Sequence, residues 1–549
     1  MTHLHSYAKS TLLTLWPWLP MWLLAASLTI FQHGPMPIFS TRTLSVAWEM
    51  WHRHSFLVPY LNGAPYSEKS PLLFWLIHLG WAVGGVGDIW PRLLAVLIGA
   101  SQLVLALVLA QRLFPDRPQT VRAVPWLLMA FSYGFLFSMQ IMYEVLLATF
   151  VLAALLALLP GPRRDTPRFI WFALAVGLGL LTKGPVMLLH VALPWLMGPL
   201  WSDWARRQRR RWYLHGTLAL LAGCAMLAAW VVPAMWEGGS AYRDQLLFHQ
   251  TGRIVNAFAH AKPFWWYLPL LPLLIFPFTL WPRLWVAIAA MPRPFEPGVR
   301  FLFAWLAPVL LGLSLVSGKQ PYYLLPEYAG FALLLAFAIM HLFERSGRLS
   351  TSAWLGPWPL ALASFGLASA LIALPWLVNS GKVSSHWFVA FATQGVPFGV
   401  IYLLLGLLLV VPGRGELYRI AFAGLVGTVA ASTLFGMTVW PAFNPEPAAA
   451  LLGHAEAQGR PIASLNLDGD DFHFLGRLTQ PIERLSDDQM LMQWTKMHPT
   501  GLIVTFPSKR AQGSMYAQRF RGVWLNIWQA TACRDSSAQC IAGSHEAVR

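Results

Sequence analysis

Charged residues are scarce in this chain. Asp, Glu, Lys and Arg make up 11% of 549 residues, against roughly 25% in soluble domains. That excludes a large water-soluble protein. With 56% hydrophobic residues and a mean hydropathy of +0.52, a polytopic α-helical membrane protein remains. Acidic residues are scarcer still, 23 against 39 Lys and Arg, for a net charge of +16. In a soluble protein such an excess would point to nucleic acid. Here much of it lies in short loops, where topology and anionic headgroups account for it, so nucleic acid is not expected as a partner. There are three cysteines. Cys224 falls inside an apolar run and reads as a small packing residue. Cys533 and Cys540 lie in a polar tail and form either a disulfide or two free thiols. Their spacing, with no His pair nearby, is no metal motif. Neither is the set Asp244, His249 and His260, so no metal site is assigned. No repeat of fixed period is evident, nor the inverted repeat of many transporters.

What the chain does have is apolar length. Runs suited to crossing a bilayer cover 11–31, 90–111, 121–140, 144–160, 168–182, 185–201, 213–236, 264–285, 300–317, 322–342, 353–378, 389–411 and 416–440, thirteen in all. The first follows Lys9 and is longer than a signal-peptide core, so it reads as a retained helix. Arginines gather between alternate pairs of runs, at Arg112/Arg117/Arg122, Arg163/Arg164/Arg168, Arg206–Arg211, Arg345/Arg348 and Arg414/Arg419. The positive-inside bias makes those loops cytoplasmic, the N-terminus cytoplasmic and the C-terminus periplasmic. The stretch 71–87 is apolar but short. Counting it as a crossing would turn the arginine clusters outward, so it reads as a helix at the outer surface within an external loop, 32–89. The expected domains are thus a membrane domain over 1–440 and a small periplasmic α/β or α+β domain over 441–549, where acidic residues return. A multi-pass protein of the bacterial inner membrane is implied.

Five constellations reach the outward side. Glu68-Lys69 follows the turn signals Asn62-Gly63 and Ala64-Pro65 and precedes a helix start, a place suited to phosphate. A snorkelling lysine is the plain alternative. Lys183 sits at a Gly184-Pro185 corner, where it equally anchors a helix end. In the loop 237–263, His249 and Arg253 lie four apart, and Arg253 offers a planar fork for phosphate oxygens. Lys319 precedes Tyr322 and Tyr323, which are either interfacial belt residues or hydrogen-bond donors to phosphate or sugar. Glu144 opens an apolar run; an ionisable group there is a functional hypothesis by default, although the helix dipole also favours it. Four cations on one outward surface suggest an anionic lipid headgroup.

As a set, these segments resemble the GT-C glycosyltransferases that use polyprenyl-phosphate donors. The likeness is nearest to the lipid A aminoarabinose transferases and looser to the protein O-mannosyltransferases. It is carried by 61–72, Trp90-Pro91-Arg92-Leu93, Leu181–Pro185, the His249…Arg253 loop into 263–267, and Lys319–Pro326, in that order over roughly residues 10–345. It implies a membrane-embedded transferase open to the periplasm, moving a sugar from a polyprenyl-phosphate donor to lipid A or a related envelope glycan. Arg42, Lys69, Arg253 and Tyr322 or Tyr323 would hold the donor phosphate. Glu144 would be the acid/base or acceptor-orienting group, with Glu68, Lys183, His249 and Lys319 as further substrate contacts. No cofactor is assigned and a divalent metal is left open. One departure stands out. The family's acidic pair ahead of Arg42 falls on Phe39 and Ser40. Glu144, Glu49 or Glu68 then takes that role, or the chain is a silent lipid-binding relative.

Overall fold

In the computed structural model, the described residues are 16–160, 166–249, 261–345, 352–411, 413, 415–465, 471–535 and 540, with the side chains of Phe248 and His249 not described. The architecture is a mostly helical membrane body followed by an α/β unit. Each of the thirteen apolar runs falls on helical structure. Among the described residues, six helices are long and apolar enough to cross a membrane, or up to eight if two bent pairs each make one span.

The departures from simple spans have local causes. The run 264–285 breaks into short pieces, 3-10 turns at Phe264–Leu270 and Phe278–Leu280 and helices at Leu271–Leu274 and Pro282–Ala289. Pro269, Pro272, Pro277 and Pro282 recur through it, and each removes a backbone donor. The run 121–140 bends by 69° between Pro118–Ala130 and Ser132–Ser138, at Phe131, whose backbone is extended. The run 213–236 is longer than expected. Its helix spans Arg209–Asp244, kinked at Gly239, where φ is 76°. Cys224, on this helix, is exposed and not packed as expected, because that helix packs only a narrow stripe of its surface. The stretch 71–87 forms the 13-residue helix Leu72–Gly84. At 1.5 Å per residue that is about 20 Å, short of a bilayer's roughly 30 Å core.

The loop expected to be external is built on one tight turn. Strands β1 (Tyr60–Leu61) and β2 (Ala64–Pro65) pair antiparallel across Asn62-Gly63, both with positive φ, the hairpin geometry that Asn-Gly favours. A Cβ on Gly63 would also sit 2.6 Å from Pro481. Pro481 belongs to the α/β unit. That unit's five strands, β3 (Ile462–Leu465), β4 (Glu483–Leu485), β5 (Leu502–Thr505), β6 (Tyr516–Phe520) and β7 (Val523–Gln529), lie in the order β4-β3-β5-β7-β6. β3 is parallel to β4 and β5, and β7 is antiparallel to β5 and β6. The sheet is buried on both faces by its own apolar clusters. Of the two states open for Cys533 and Cys540, the disulfide is present.

Candidate functional site

Glu144 and Lys183 meet. Glu144 is the second residue of the helix Tyr143–Leu158, and Lys183 is the last of Phe169–Lys183. Each charge sits at the helix end that its sign favours. Gly184, with φ 64°, stops the second helix. Lys183 Nζ donates to Glu144 Oε1 at 2.7 Å, and Glu144 is only 6% exposed. Lys183 Nζ also lies 4.5 Å over the Tyr323 ring, and Lys69 Nζ 5.7 Å over the Tyr143 ring, both within cation–π reach. Lys69 is electrostatically coupled to Glu144, Lys183, Glu68 and Arg42. One cluster therefore brings together Arg42, Glu68, Lys69, Glu144, Lys183 and Tyr323, whose sequence positions span more than half of the chain.

Arg42 rides on the helix Ser40–His52. Just before it, Phe39 packs edge-on against Tyr322 at 5.7 Å and Phe137 at 5.9 Å. At one of the two positions where the resemblance places acid, Phe39 therefore joins an aromatic wall. Ser40 Oγ bonds Gln140 Oε1 at 3.2 Å and accepts from Ile141 N–H at 3.3 Å, pinning the turn that leads into Tyr143 and Glu144. Tyr66 Oη donates to Glu68 Oε2 at 3.3 Å.

Burial pushes the Lys69 ammonium below the ordinary lysine value, with Glu144 opposing the shift. Lysine holds phosphate only when protonated, so that proton is lost at a lower pH than for an exposed lysine. Donor KM is accordingly expected to climb on the alkaline side. Lys69→Arg, which stays charged throughout, is expected to flatten that climb in a KM-against-pH series; an unchanged alkaline limb would remove Lys69 from the phosphate site.

Two expectations need correction, and two more fall outside the described residues. Glu49 is not a spare base. It is buried, accepts from the backbone N–H of Asn62 and of Gly63 (2.9 Å for the latter), and pairs with Arg53 at 3.5 Å. Its carboxylate satisfies the hairpin's donors. Lys319 is 2% exposed, and its Nζ donates to the carbonyls of Lys262 (3.0 Å) and Val316. It clamps two segments instead of reaching into open space for substrate. Arg253 and the His249 side chain lie outside the described residues, so their expected roles gain no geometry.

The sequence reading also missed two groups. His190 Nδ1 and Glu327 Oε1 are 2.6 Å apart and buried to 1% and 0% exposure. They tie the helix Val186–Leu196, just after Lys183, to the 3-10 turn Pro321–Glu327 carrying both tyrosines. Rarity of ionisable residues inside apolar runs was the available signal. The second is Asp471, from the α/β unit. Its Oδ1 accepts from Ile38 N–H at 3.0 Å and from the Thr41 hydroxyl. A carboxylate does reach the first loop, from the far end of the chain. Nothing local in the sequence announces it.

The profile of the dolichyl-phosphate-mannose-protein mannosyltransferase family matches residues 68–230. Among curated proteins, the chain is similar to undecaprenyl phosphate-alpha-4-amino-4-deoxy-L-arabinose arabinosyl transferases. That of Pseudomonas savastanoi pv. phaseolicola is 31% identical, covering 60% of this chain and 62% of the relative. That of Edwardsiella ictaluri is 26% identical, covering 66% and 65%. That of Pseudomonas paraeruginosa is 30% identical, covering 63% and 62%. The matched part thus spans less than two thirds of those relatives. Among solved structures, ArnT from Cupriavidus metallidurans bound to undecaprenyl phosphate superimposes with a TM-score of 0.71 at 18% identity, covering 93% of this chain and 97% of that one. Its apo state gives 0.72 at 17%, covering 96% and 99%. The chain shares that fold. The resemblance to GT-C polyprenyl-phosphate glycosyltransferases, and to the aminoarabinose transferases among them, holds in sequence.

Proposed function

We propose that this chain is a glycosyltransferase of the bacterial inner membrane. It moves a sugar, an aminoarabinose-like pentose as in the named relatives, from a polyprenyl-phosphate donor to a periplasmic-side acceptor such as lipid A. The observation that carries this reading is the buried Glu144–Lys183 pair beside Lys69 and the two tyrosines. Arg42, Lys69 and Tyr322 or Tyr323 hold the donor phosphate, with Arg253 as a further ligand. The bond from the sugar's anomeric carbon to the phosphate oxygen breaks, and the phosphate leaves with the electron pair, stabilised by those cations. The acceptor oxygen attacks the same carbon. Glu144 takes the acceptor's proton if the acceptor is a hydroxyl; an acceptor phosphate is already anionic and has no proton to give up.

Thirteen crossings with the α/β unit outside belong to the same proposal. Its support is the arginine asymmetry, which places the cluster on the outward face. A silent lipid-binding relative had its support in Phe39 and Ser40, and the named transferases among the comparisons do not favour it. Membranes carrying the chain and a radiolabelled polyprenyl-phosphate sugar test the reading. Lys69→Ala is expected to cut transfer by about 10²-fold or more, as loss of a preorganised charge contact does. Unchanged transfer would refute the assignment.

A further inference from the structure

The opposite end of the membrane body carries a feature that the transfer reaction does not use. The helices Ile89–Leu113, Tyr143–Leu158 and Phe169–Lys183 enclose an apolar cavity of about 240 Å³. Arg112 and Arg168 line one end of it, and Leu178 lies toward the other. From Arg168 to Leu178 the helix rises about 15 Å, half of a bilayer's roughly 30 Å hydrocarbon core. The cavity therefore has the depth of one leaflet. Trp171, 60% exposed, lines it near the basic end, where amphipathic rings settle at a headgroup boundary.

Arg112 also lines a second, more polar cavity of about 480 Å³, together with Arg207, Gln208, Ser202, Trp204 and Asp203, whose carboxylate is paired with Arg206. Arg112 Nη1 donates to the Pro160 carbonyl, which holds it between the two spaces. Arg168 is the N-cap residue of its helix; its side chain makes no cap hydrogen bond and the helix's first turn carries no acid. Its amide dipoles add to the positive field. An apolar slot one leaflet deep, ending in arginines beside a polar chamber, has the shape and charge of one class of ligand.

We propose that these two cavities together bind an anionic phospholipid of the inner leaflet, an acyl chain in the apolar slot and the phosphate among Arg112, Arg168 and Arg207. This rests on the proposed orientation but not on the transfer reaction, so either can fail alone.

Native mass spectrometry of the full-length chain, titrated with phosphatidylglycerol and separately with phosphatidylethanolamine, tests it. Phosphatidylglycerol is expected to bind about tenfold more tightly, and that preference is expected to vanish in Arg112→Gln/Arg168→Gln/Arg207→Gln, as for loss of three cations near an anionic headgroup. Arg209→Gln/Arg210→Gln/Arg211→Gln removes equal charge outside the cavities and is expected to keep it. Ala153→Phe, which fills the slot without changing charge, is expected to weaken retention and covers the case in which the arginine variant misfolds. Equal binding of the two lipids, equal loss in the control variant, or full displacement by glycerol phosphate would overturn the proposal.

Discussion

Glu144→Gln is expected to lower the turnover of sugar transfer by about 10²–10⁴-fold, the usual contribution of a general base, with a much smaller rise in donor KM, because Lys69 loses the charge that opposes its shift. The split follows from the division of labour in the cluster. Arg42, Lys69 and the tyrosines hold the leaving phosphate, whereas Glu144 acts on the acceptor. The amide keeps the shape of the carboxylate and its acceptor oxygen for Lys183. Removing Lys183 instead has a different signature. Lys183→Met leaves a buried carboxylate without its 2.7 Å partner. Breaking a buried pair from one side costs about 3–5 kcal/mol, discounted here because Lys183 keeps 14% exposure. Lower yield and lower melting temperature are expected. The double variant Glu144→Gln/Lys183→Met is expected to recover melting temperature but not turnover. If Glu144→Gln turned over normally, Glu144 would be a structural counter-ion to Lys183 and nothing more.

The second large effect is expected far from the membrane runs. Asp471→Ala removes the acceptor of the Thr41 hydroxyl and one of the two acceptors of Ile38 N–H, which keeps Thr41 Oγ1 at 2.9 Å, both beside Arg42. A buried donor left unpaired costs about 1–3 kcal/mol, and here the cost falls on the start of the helix that carries a proposed phosphate ligand. Donor KM is expected to rise about tenfold or more. Asp471→Asn keeps an acceptor oxygen and is expected to stay within about threefold of wild type. The contact is one of several between the unit and the loop. Asn62 exchanges hydrogen bonds with the Ile482 backbone at 2.7 and 2.9 Å. Trp48 Nε1 donates to the Leu478 carbonyl at 2.8 Å, and Trp81 stacks on Phe474 at 5.6 Å. The α/β unit is a brace for the external loop. Equal donor KM for the Ala and Asn variants and wild type would show that the brace does not reach the site.

Much of this was legible in the sequence because it depends on local composition. Apolar length located the helical runs, and Asn62-Gly63 announced a turn, though not the hairpin built on it. Prolines hidden inside apolar runs were harder to read. Hydropathy rates 264–285 as one span, but the chain there cannot keep its backbone bonds past Pro269, Pro272 and Pro277. Pairing was least legible. Glu144 and Lys183 were each singled out, yet their contact depends on two helix ends being brought together by packing. His190 with Glu327, and Asp471 with Thr41, join residues 137 and 430 apart. Glu49 read as a spare acid because its partners, the turn's own amides, are donors that a sequence does not display.

Mass spectrometry of envelope lipids and glycans from cells with and without the gene tests the central claim most directly. A sugar transferase predicts that lipid A or a related glycan loses one discrete pentose-like or hexose-like mass when the gene is absent. Wild type is expected to restore that mass, and Lys69→Ala is not. Identical spectra in the two strains, or full restoration by Lys69→Ala, would contradict it.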